Sequence, residues 1–276
     1  MDRIRLIASD MDATLLDEQS QLPADFEETI HALAELGIRF APASGRPLYT
    51  LEAMFPTLQD ELVFIGDNGG AIRWNGQNLF TSEMSPEGWR ALNRLTREQG
   101  DIAVLCGLES AYVERTFAVH DAVLRHFYTK IEYVDRLEDV TAPADKFTIY
   151  LPQHNAQQAY DTVYASQRSI YSVAVAGECW VDIMNPGVHK GAALQTLGQL
   201  WGLPSESIMA FGDTYNDAEM LQTVRYGFLM ENGSEPLRQK VPFLAPSHRE
   251  AGVMQVLHRV LAQNGCVCPE DFVPAH

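Results

Sequence analysis

Short apolar runs recur near both ends of the chain, each breaking off into polar and glycine-containing residues, and segments with apolar residues at helical spacing separate them. That alternation constrains the fold more than any other feature, because it is the pattern of a mainly parallel sheet with helices on its faces. Ile4 to Ser9 reads as the first strand. Asp25 to Leu36 places Phe26, Ile30, Leu33 and Ala34 at helical spacing and stops at Gly37, after which Ile38 to Ala43 is a second buried strand. Leu62 to Ile65 gives a third short strand, and Ala71 to Trp74 with Gln77 to Thr81 predicts a hairpin turning at Asn75-Gly76. The alternation resumes late in the chain. Helix Gly191 to Trp201, strand Ile208 to Phe211, helix Asp217 to Thr223 and strand Arg225 to Leu229 precede a closing helix from Val253 to about Ala262.

Between these halves the texture changes to helices and strands with hairpin-like neighbours, including Lys146 to Leu151 and the pair Ser169 to Ala174 and Cys179 to Met184. The expected architecture is α/β: a Rossmann-like, mainly parallel sheet core from residues 1–81 and 187–276, with 82–186 forming an inserted α+β cap domain. No internal repeat and no low-complexity stretch interrupts this reading.

Composition narrows the partners. A chain of 276 residues that is 46% hydrophobic can bury a core, and its length suits one large domain or two modest ones. A net charge of −17 argues against a broad electrostatic footprint for nucleic acid or an anionic membrane, so an anionic substrate needs a local positive site. The four cysteines, Cys106, Cys179, Cys266 and Cys268, show no paired C-x-x-C spacing and are expected to be free thiols. Charges at Asp2, Arg3 and Arg5 leave no apolar stretch for a signal peptide or membrane span, and a cytoplasmic protein is expected.

Three of the apolar runs end in groups that bear on chemistry. Asp10 and Asp12 follow the first. Residues two apart on a strand share a side, so both carboxylates can face the crevice at the carboxyl ends of the strands, where open α/β sheets bind ligands. Alone, such a pair is more often a metal-binding or solvated turn than a nucleophile and acid. Asp213 and Asp217, with Asn216 between them, follow another run. If the first and fourth core strands are neighbours, these oxygens complete a hard-cation site, and oxygen-only ligands favour Mg²⁺. Ser44 ends the second strand and Gly45 frees the backbone there. A hydroxyl and exposed N–H groups at that point can hold phosphate oxygens, or Ser44 is simply the N-cap of a coming helix. Lys190 stands beside a helix start, where its charge opposes the macrodipole unless an anion binds, although a surface lysine is the simpler case. Asn68, in Gly66-Asp67-Asn68-Gly69-Gly70, reads as a turn residue.

Taken in order, the segments Asp10-Met11-Asp12-Ala13-Thr14-Leu15-Leu16, Ser44-Gly45-Arg46, Lys190-Gly191 and Gly212-Asp213-Thr214-Tyr215-Asn216-Asp217-Ala218-Glu219-Met220 resemble a known set. They are similar to the haloacid dehalogenase-like (HAD) phosphohydrolases, specifically the Cof-type sugar-phosphate phosphatases, whose pattern is D-x-D-G-T-L-L, [ST]-G-R, a lysine before glycine, and G-D-x-x-N-D-x-x-M. The likeness spans essentially the whole chain. Asp67-Asn68-Gly69-Gly70 resembles the family's E-N-G-A, and Cys106 to Val113 in the insert resembles the enterobacterial sugar phosphatases of the group.

The resemblance implies a Mg²⁺-dependent phosphatase acting on a small phosphorylated metabolite, a sugar phosphate; the net charge has already argued against a nucleic acid or membrane partner. It implies that Asp10 is the nucleophile that becomes an aspartyl-phosphate, and that Asp12 is the acid that protonates the leaving alcohol and then the base that activates water. Mg²⁺ is expected on the Asp10 carboxylate, the Asp12 main-chain carbonyl and Asp213, with Asp217 fixing the ion or its waters. Ser44 and Lys190 are expected to neutralise phosphoryl oxygens, Gly45, Arg46 and Asn68 to line the substrate site, and Asn216 to contact the phosphate or orient Lys190. The insert would close over the site and read the sugar. Ala13 stands where the family has glycine, Asp67 replaces the usual glutamate, and Ser247-His248-Arg249-Glu250 departs from an acidic family segment. Two other readings share these residues: a phosphomutase of the same superfamily, and a non-catalytic phosphometabolite-binding protein, which would rest on Ala13 alone.

Overall fold

The computed structural model describes the whole chain, Met1–His276. It opens with β1 (Asp2–Arg3), β2 (Leu6–Ser9), α1 (Phe26–Glu35), β3 (Arg39–Pro42) and α2 (Leu48–Ala53), then β4 (Val63–Gly66), β5 (Ala71–Trp74) and β6 (Gln77–Thr81). The middle of the chain holds α3 (Pro86–Gln99), β7 (Ile102–Gly107), β8 (Ala111–Glu114), α4 (Asp121–Phe127) and β9 (Ile131–Val134). There follow β10 (Ala144–Tyr150), α5 (Ala156–Thr162), β11 (Ser172–Val175) and β12 (Trp180–Met184). The last stretch is α6 (Lys190–Trp201), β13 (Ile208–Gly212), α7 (Ala218–Thr223), β14 (Tyr226–Met230), β15 (Phe243–Ala245), α8 (Gly252–Ala262), β16 (Cys266–Val267) and β17 (Val273–Pro274).

One six-stranded sheet has the order β17-β15-β14-β13-β2-β3, parallel throughout except at β17. Every residue of β2, β13 and β14 is buried, which is why these strands read as unbroken apolar runs rather than alternating ones. Two apolar clusters lie against the two faces. One gathers Phe26, Ile30 and Leu33 of α1 with Val253, Leu257 and Val260 of α8; the other gathers Ala193, Leu194 and Leu197 of α6 with Met220 and Leu221 of α7. In register, Ala8 lies opposite Ala41 on one side and Ala210 on the other. The carboxyl ends of β2, β3 and β13 are therefore level, and the segments that follow them leave the sheet together.

A second six-stranded sheet, β11-β12-β10-β7-β8-β9, is built wholly from residues of the middle stretch and is antiparallel apart from the β8–β9 pair. Its helices follow local signals: Ser85 caps α3 by accepting the Gly88 N–H at 3.1 Å, Pro86 occupies the first turn, and Gly100 ends it at φ +75°.

Predicted strand and helix ends shift by a residue or two, as helix capping and fraying lead one to expect. Two differences go further. Leu62 to Ile65 does form a strand, β4, but it leaves the parallel sheet to make a separate three-stranded antiparallel sheet with β5 and β6, touching the main sheet through a single bridge between Ala43 and Ile65. The cause is the Asp67–Gly70 turn, which reverses the chain and hands β4 to its own successor. Ser169 lies in a 3-10 turn and the strand begins only at Ser172. No helix is long and apolar enough to cross a membrane, and all four cysteines are free.

Candidate active site

At the carboxyl end of the parallel sheet, Asp10 follows β2, Asp213 follows β13, and Asp217 closes the first turn before α7. Their carboxylate oxygens lie within 4.8 Å of one another. The adjacency of β2 and β13, on which that convergence depended, is present in the sheet. Lys190, the first residue of α6, is wholly buried behind them and donates to Asp10 and, at 2.7 Å, to Asp217 Oδ1. The other oxygen of Asp217 accepts the N–H groups of Asp213, at 3.0 Å, and Thr214, at 3.2 Å. Asp217 is thus fully engaged in holding Lys190 and the Asp213 loop in place. Asp213 receives only a long contact from Thr14, 3.4 Å, and keeps an oxygen free.

Three buried carboxylates cluster about one ammonium, and Asp10 and Asp213 titrate high in consequence. Burial, reinforced by Asp217 and Asp213 and opposed by Lys190, pushes Asp10 up to about 8. Burial and Asp217 push Asp213 up to about 6. Burial works against the charge of Lys190, but Asp10 and Asp217 outweigh it and hold its pKa above the ordinary lysine value. A site that keeps negative charge out of water with a single counter-cation has room, electrostatically, for a further cation, and its donors are all oxygens.

The remaining sequence-predicted residues fall around a cavity of about 560 Å³. Asp12, Ser44, Gly45, Arg46, Asn68 and Asn216 line it together with Asp10 and Asp213; Lys190 and Asp217 do not, lying one layer deeper. Arg46 grips Asp12 in two places, Nη1 to Oδ2 at 2.8 Å and Nη2 to Oδ1 at 3.0 Å, so the Asp12 side chain is held by a fork. Ser44 is not a helix cap. The helix begins at Leu48 with Pro47 before it, and the Ser44 hydroxyl instead accepts the Arg46 N–H at 3.1 Å. Its own hydrogen stays free to donate into the cavity. Asn216 does not orient Lys190: it is exposed and accepts from the Thr214 hydroxyl at 2.6 Å. Asn68 is a turn residue, at φ +55°, and also a bridge, its amide donating to Asp182 of β12 at 3.1 Å.

Sequence reasoning missed the other side of the cavity. Lys146, on β10 and buried, crosses to the parallel-sheet half of the molecule, donating to the Gly45 carbonyl at 2.6 Å and pairing with Asp67 at 3.0 Å. Asp182 accepts the Thr148 hydroxyl at 2.7 Å and lies 3.7 Å from Lys146. The signal was present in the strand sequences Ala144–Tyr150 and Trp180–Met184, where charged residues interrupt stretches that are otherwise apolar and wholly buried. A charge in such a place needs a partner from another element. Asn232, also unremarked in the sequence, donates to the Ala13 carbonyl at 2.8 Å and accepts the His248 N–H at 3.0 Å, joining the Asp12 loop to the Ser247–Glu250 segment.

Ala13 sits at φ +59°, ψ +12°, the left-handed region that favours glycine. Alanine there carries a strain of about 1 kcal/mol. Ala13→Gly is expected to keep or raise kcat/KM, with any gain in folding stability held below about 1 kcal/mol because glycine also frees the unfolded chain. Matched kinetics and thermal melts of the two proteins check this, and a clear loss of activity in the glycine variant would show that the strain is not a burden on the loop.

Residues 7–257 match the family described as haloacid dehalogenase-like hydrolase. The chain is similar to a phosphatase of Escherichia coli named for 5-amino-6-(5-phospho-D-ribitylamino)uracil, 31% identical over 94% of this chain and 96% of that protein. It is similar also to the HMP-PP phosphatase of Cronobacter sakazakii, 31% identical over 87% and 89% of the two chains. Among solved structures, a protein of Streptococcus mutans superposes with a TM-score of 0.83 at 28% identity, covering 94% of this chain and 99% of that one.

Proposed function

This chain belongs to the haloacid dehalogenase-like hydrolases and is a phosphatase of that family, and we propose that it hydrolyses small phosphorylated metabolites, sugar phosphates among them, with Mg²⁺ as cofactor and through an aspartyl-phosphate. The observation that carries the proposal is the convergence of Asp10, Asp213 and Asp217 with Lys190 at the carboxyl end of the sheet, opening on a cavity that holds Asp12 and Ser44. Relatives are named for phosphorylated metabolites as different as a phosphoribitylaminouracil and phosphoglycolate.

In this reading an Asp10 oxygen attacks phosphorus and the ester P–O bond breaks. Asp12, at the cavity and held by Arg46, gives its proton to the departing alkoxide, then takes one from the water that cleaves the acyl-phosphate. The Ser44 hydroxyl donates to a phosphoryl oxygen. Lys190, held behind Asp10 by Asp10 and Asp217, would neutralise the phosphoryl group through its charge. Asp10, Asp213 and the Asp12 carbonyl would hold Mg²⁺, with Asp217 bracing them; the bound cation supplies charge neutralisation to the phosphoryl group. The donor set fits, being all oxygen and short of positive charge. Residues 82–186 would act as the cap over a core of 1–81 and 187–276, with Lys146 as its link to the Gly45 loop. Free thiols and acidic composition suit a cytoplasmic location.

The experiment is a screen of phosphorylated metabolites for phosphate release with Mg²⁺ and with a chelator. Mg²⁺-dependent release from sugar phosphates is expected; release that ignores the chelator would remove the metal from the mechanism. Asp12→Ala separates the acid from the nucleophile. Single-turnover phosphorylation is expected to fall about 10²–10⁴-fold with a sugar phosphate and much less with an activated aryl phosphate, whose leaving group needs little help. Equal losses on the two substrates would deny Asp12 that role.

A further inference from the structure

We propose that Asp67 and Asp145 share a single proton across the junction of the two sheets, and that this proton keeps Lys146 on the Gly45 loop and so holds Ser44 in place. Asp145 is then a positioning residue, acting through Lys146. The effect on turnover rests on the phosphatase reading; the shared proton does not.

A local irregularity of β10 delivers Asp145 to the junction. Lys146 pairs with Cys106 of β7 and Ala144 with Gly107, so Asp145 is the extra residue of a β-bulge. A regular strand sends adjacent side chains to opposite faces, whereas here both Asp145 and Lys146 reach Asp67. Asp145 is wholly buried, and neither of its oxygens has a side-chain donor. What it meets is Asp67, carboxyl to carboxyl. Its Oδ2 also lies against the turn that follows Asp67, where a methyl group on Gly70 would come within 3.0 Å of it.

The charge balance requires the proton. Asp67, Asp145 and Asp182 face one ammonium, that of Lys146, which lies 3.0 Å from Asp67 and 3.7 Å from Asp182. Asp182 is otherwise served by the Thr148 hydroxyl at 2.7 Å and the Asn68 amide at 3.1 Å. The other ionisable groups around the pocket, Tyr49 of α2, Cys106 of β7 and Tyr128, add no positive charge. Burial pushes the Cys106 thiol up to about 12 and holds both phenols above their ordinary value. Two buried carboxylates in contact repel, and one proton between them turns the repulsion into a charge-assisted hydrogen bond. Burial and Asp67 accordingly push Asp145 well above the ordinary carboxyl value, while burial raises Asp67 against the opposing pull of Lys146. Asp145 donates and Asp67 accepts.

The turn depends on that bond. Asp67, Asn68 and Gly69 are all left-handed, at φ +50°, +55° and +97°, and a side chain on Gly69 would strike the His189 carbonyl at 2.6 Å. Two non-glycine residues keep such a conformation only where their surroundings fix it. With the proton in place Asp145 needs no ammonium, and Lys146 is left to the Gly45 carbonyl at 2.6 Å. Without it a further carboxylate competes for Lys146, and the loop that carries Ser44 loses its tie.

Asp145→Asn tests the proton, because the amide still donates to Asp67 and has no acid to ionise. A folded pKa above the unfolded value means that wild-type folding takes up a proton, so this group's contribution is fully present below 3.8 and is lost as the pH rises toward its folded value. In urea denaturation of the metal-free proteins, the variant's folding constant divided by the wild type's is expected to rise by about tenfold per pH unit from about pH 5 to 8. Asp10 and Asp213 titrate in both proteins and cancel in that ratio. A ratio that stays flat means that Asp145 is ionised when folded, and overturns the shared proton. Should Asp145→Asn not fold, Asp67→Asn carries the same test; failure of both to fold overturns it too, since an amide can replace either member of a pair that shares a proton. Asp145→Ala tests the positioning. It leaves Asp67 without its donor and free to draw Lys146 off Gly45, and kcat with Mg²⁺ is expected to fall about tenfold or more, with Asp145→Asn restoring it. Wild-type kcat in the alanine variant, or no restoration by asparagine, overturns the tie to the Gly45 loop. Absence of phosphate release by the wild type from any ester would instead remove the phosphatase reading and leave the denaturation result standing.

Discussion

Asp10→Asn is expected to abolish turnover, lowering kcat by about 10⁴–10⁶-fold, while leaving the fold in place. The amide keeps the shape of the side chain at the end of β2, but it is a poor nucleophile and a weaker partner for a cation. Folding should tolerate the change. Asp10 is one of three buried carboxylates served by a single lysine, and removing its charge relieves the burial cost and part of the repulsion that together push its pKa up to about 8. Single-turnover assays for acyl-phosphate formation, with circular dichroism as the control on folding, give the answer. Wild-type phosphate release by the purified variant would take Asp10 out of the nucleophile role and with it the covalent mechanism.

Lys190→Met is the second large effect, and it reaches stability as well as rate. The methionine fills similar volume but leaves Asp10 and Asp217 buried without their shared ammonium, a loss of about 3–5 kcal/mol when a buried pair is broken from one side. Turnover should fall by about 10²–10³-fold or more, because the charge that meets the developing phosphoryl negativity is gone. The pH dependence has a definite sign. A carboxyl whose folded pKa lies above its unfolded value binds its proton more tightly when folded, so its contribution is fully present at low pH and declines as the pH rises. For Asp10 in the metal-free wild type the decline runs from the ordinary 3.8 to about 8, and for Asp213 from 3.8 to about 6. Losing Lys190 removes the influence that lowers both. The variant's melting temperature should therefore drop more steeply with rising pH across that window than the wild type's. A parallel pair of curves would mean that Lys190 contributes little to the charge balance of the cluster.

The chemistry of this site was legible in the sequence because each half of it is local. Asp10 and Asp12 follow the first apolar run, Ser44 the second and Asp213 a later one, and buried parallel strands that end in polar residues bring those segments to one edge of the sheet. The helix boundaries at Gly37 and Trp201 and the hairpin at Asn75-Gly76 are local in the same sense. Ala13 shows the limit of that reading: its residue type was plain from the sequence, but the conformation that makes it strained, φ +59°, is imposed by the loop's ties to Asn232 and its neighbours.

What the sequence by itself determined was the succession of strands along the chain, the groups at their ends and the family to which that succession points. Tertiary structure alone decided how those groups share their charge and what faces them. A lysine at a helix start is free to line a cavity; burial against two carboxylates set Lys190 behind Asp10 instead. Arg46 was expected at the substrate and grips Asp12. Lys146 and Asp182 lie far from Asp10 along the chain, on strands with no motif of their own, and reach the site only because the second sheet packs across the first. Periodicity reports which face of an element is buried, and it carries no record of which distant element buries it.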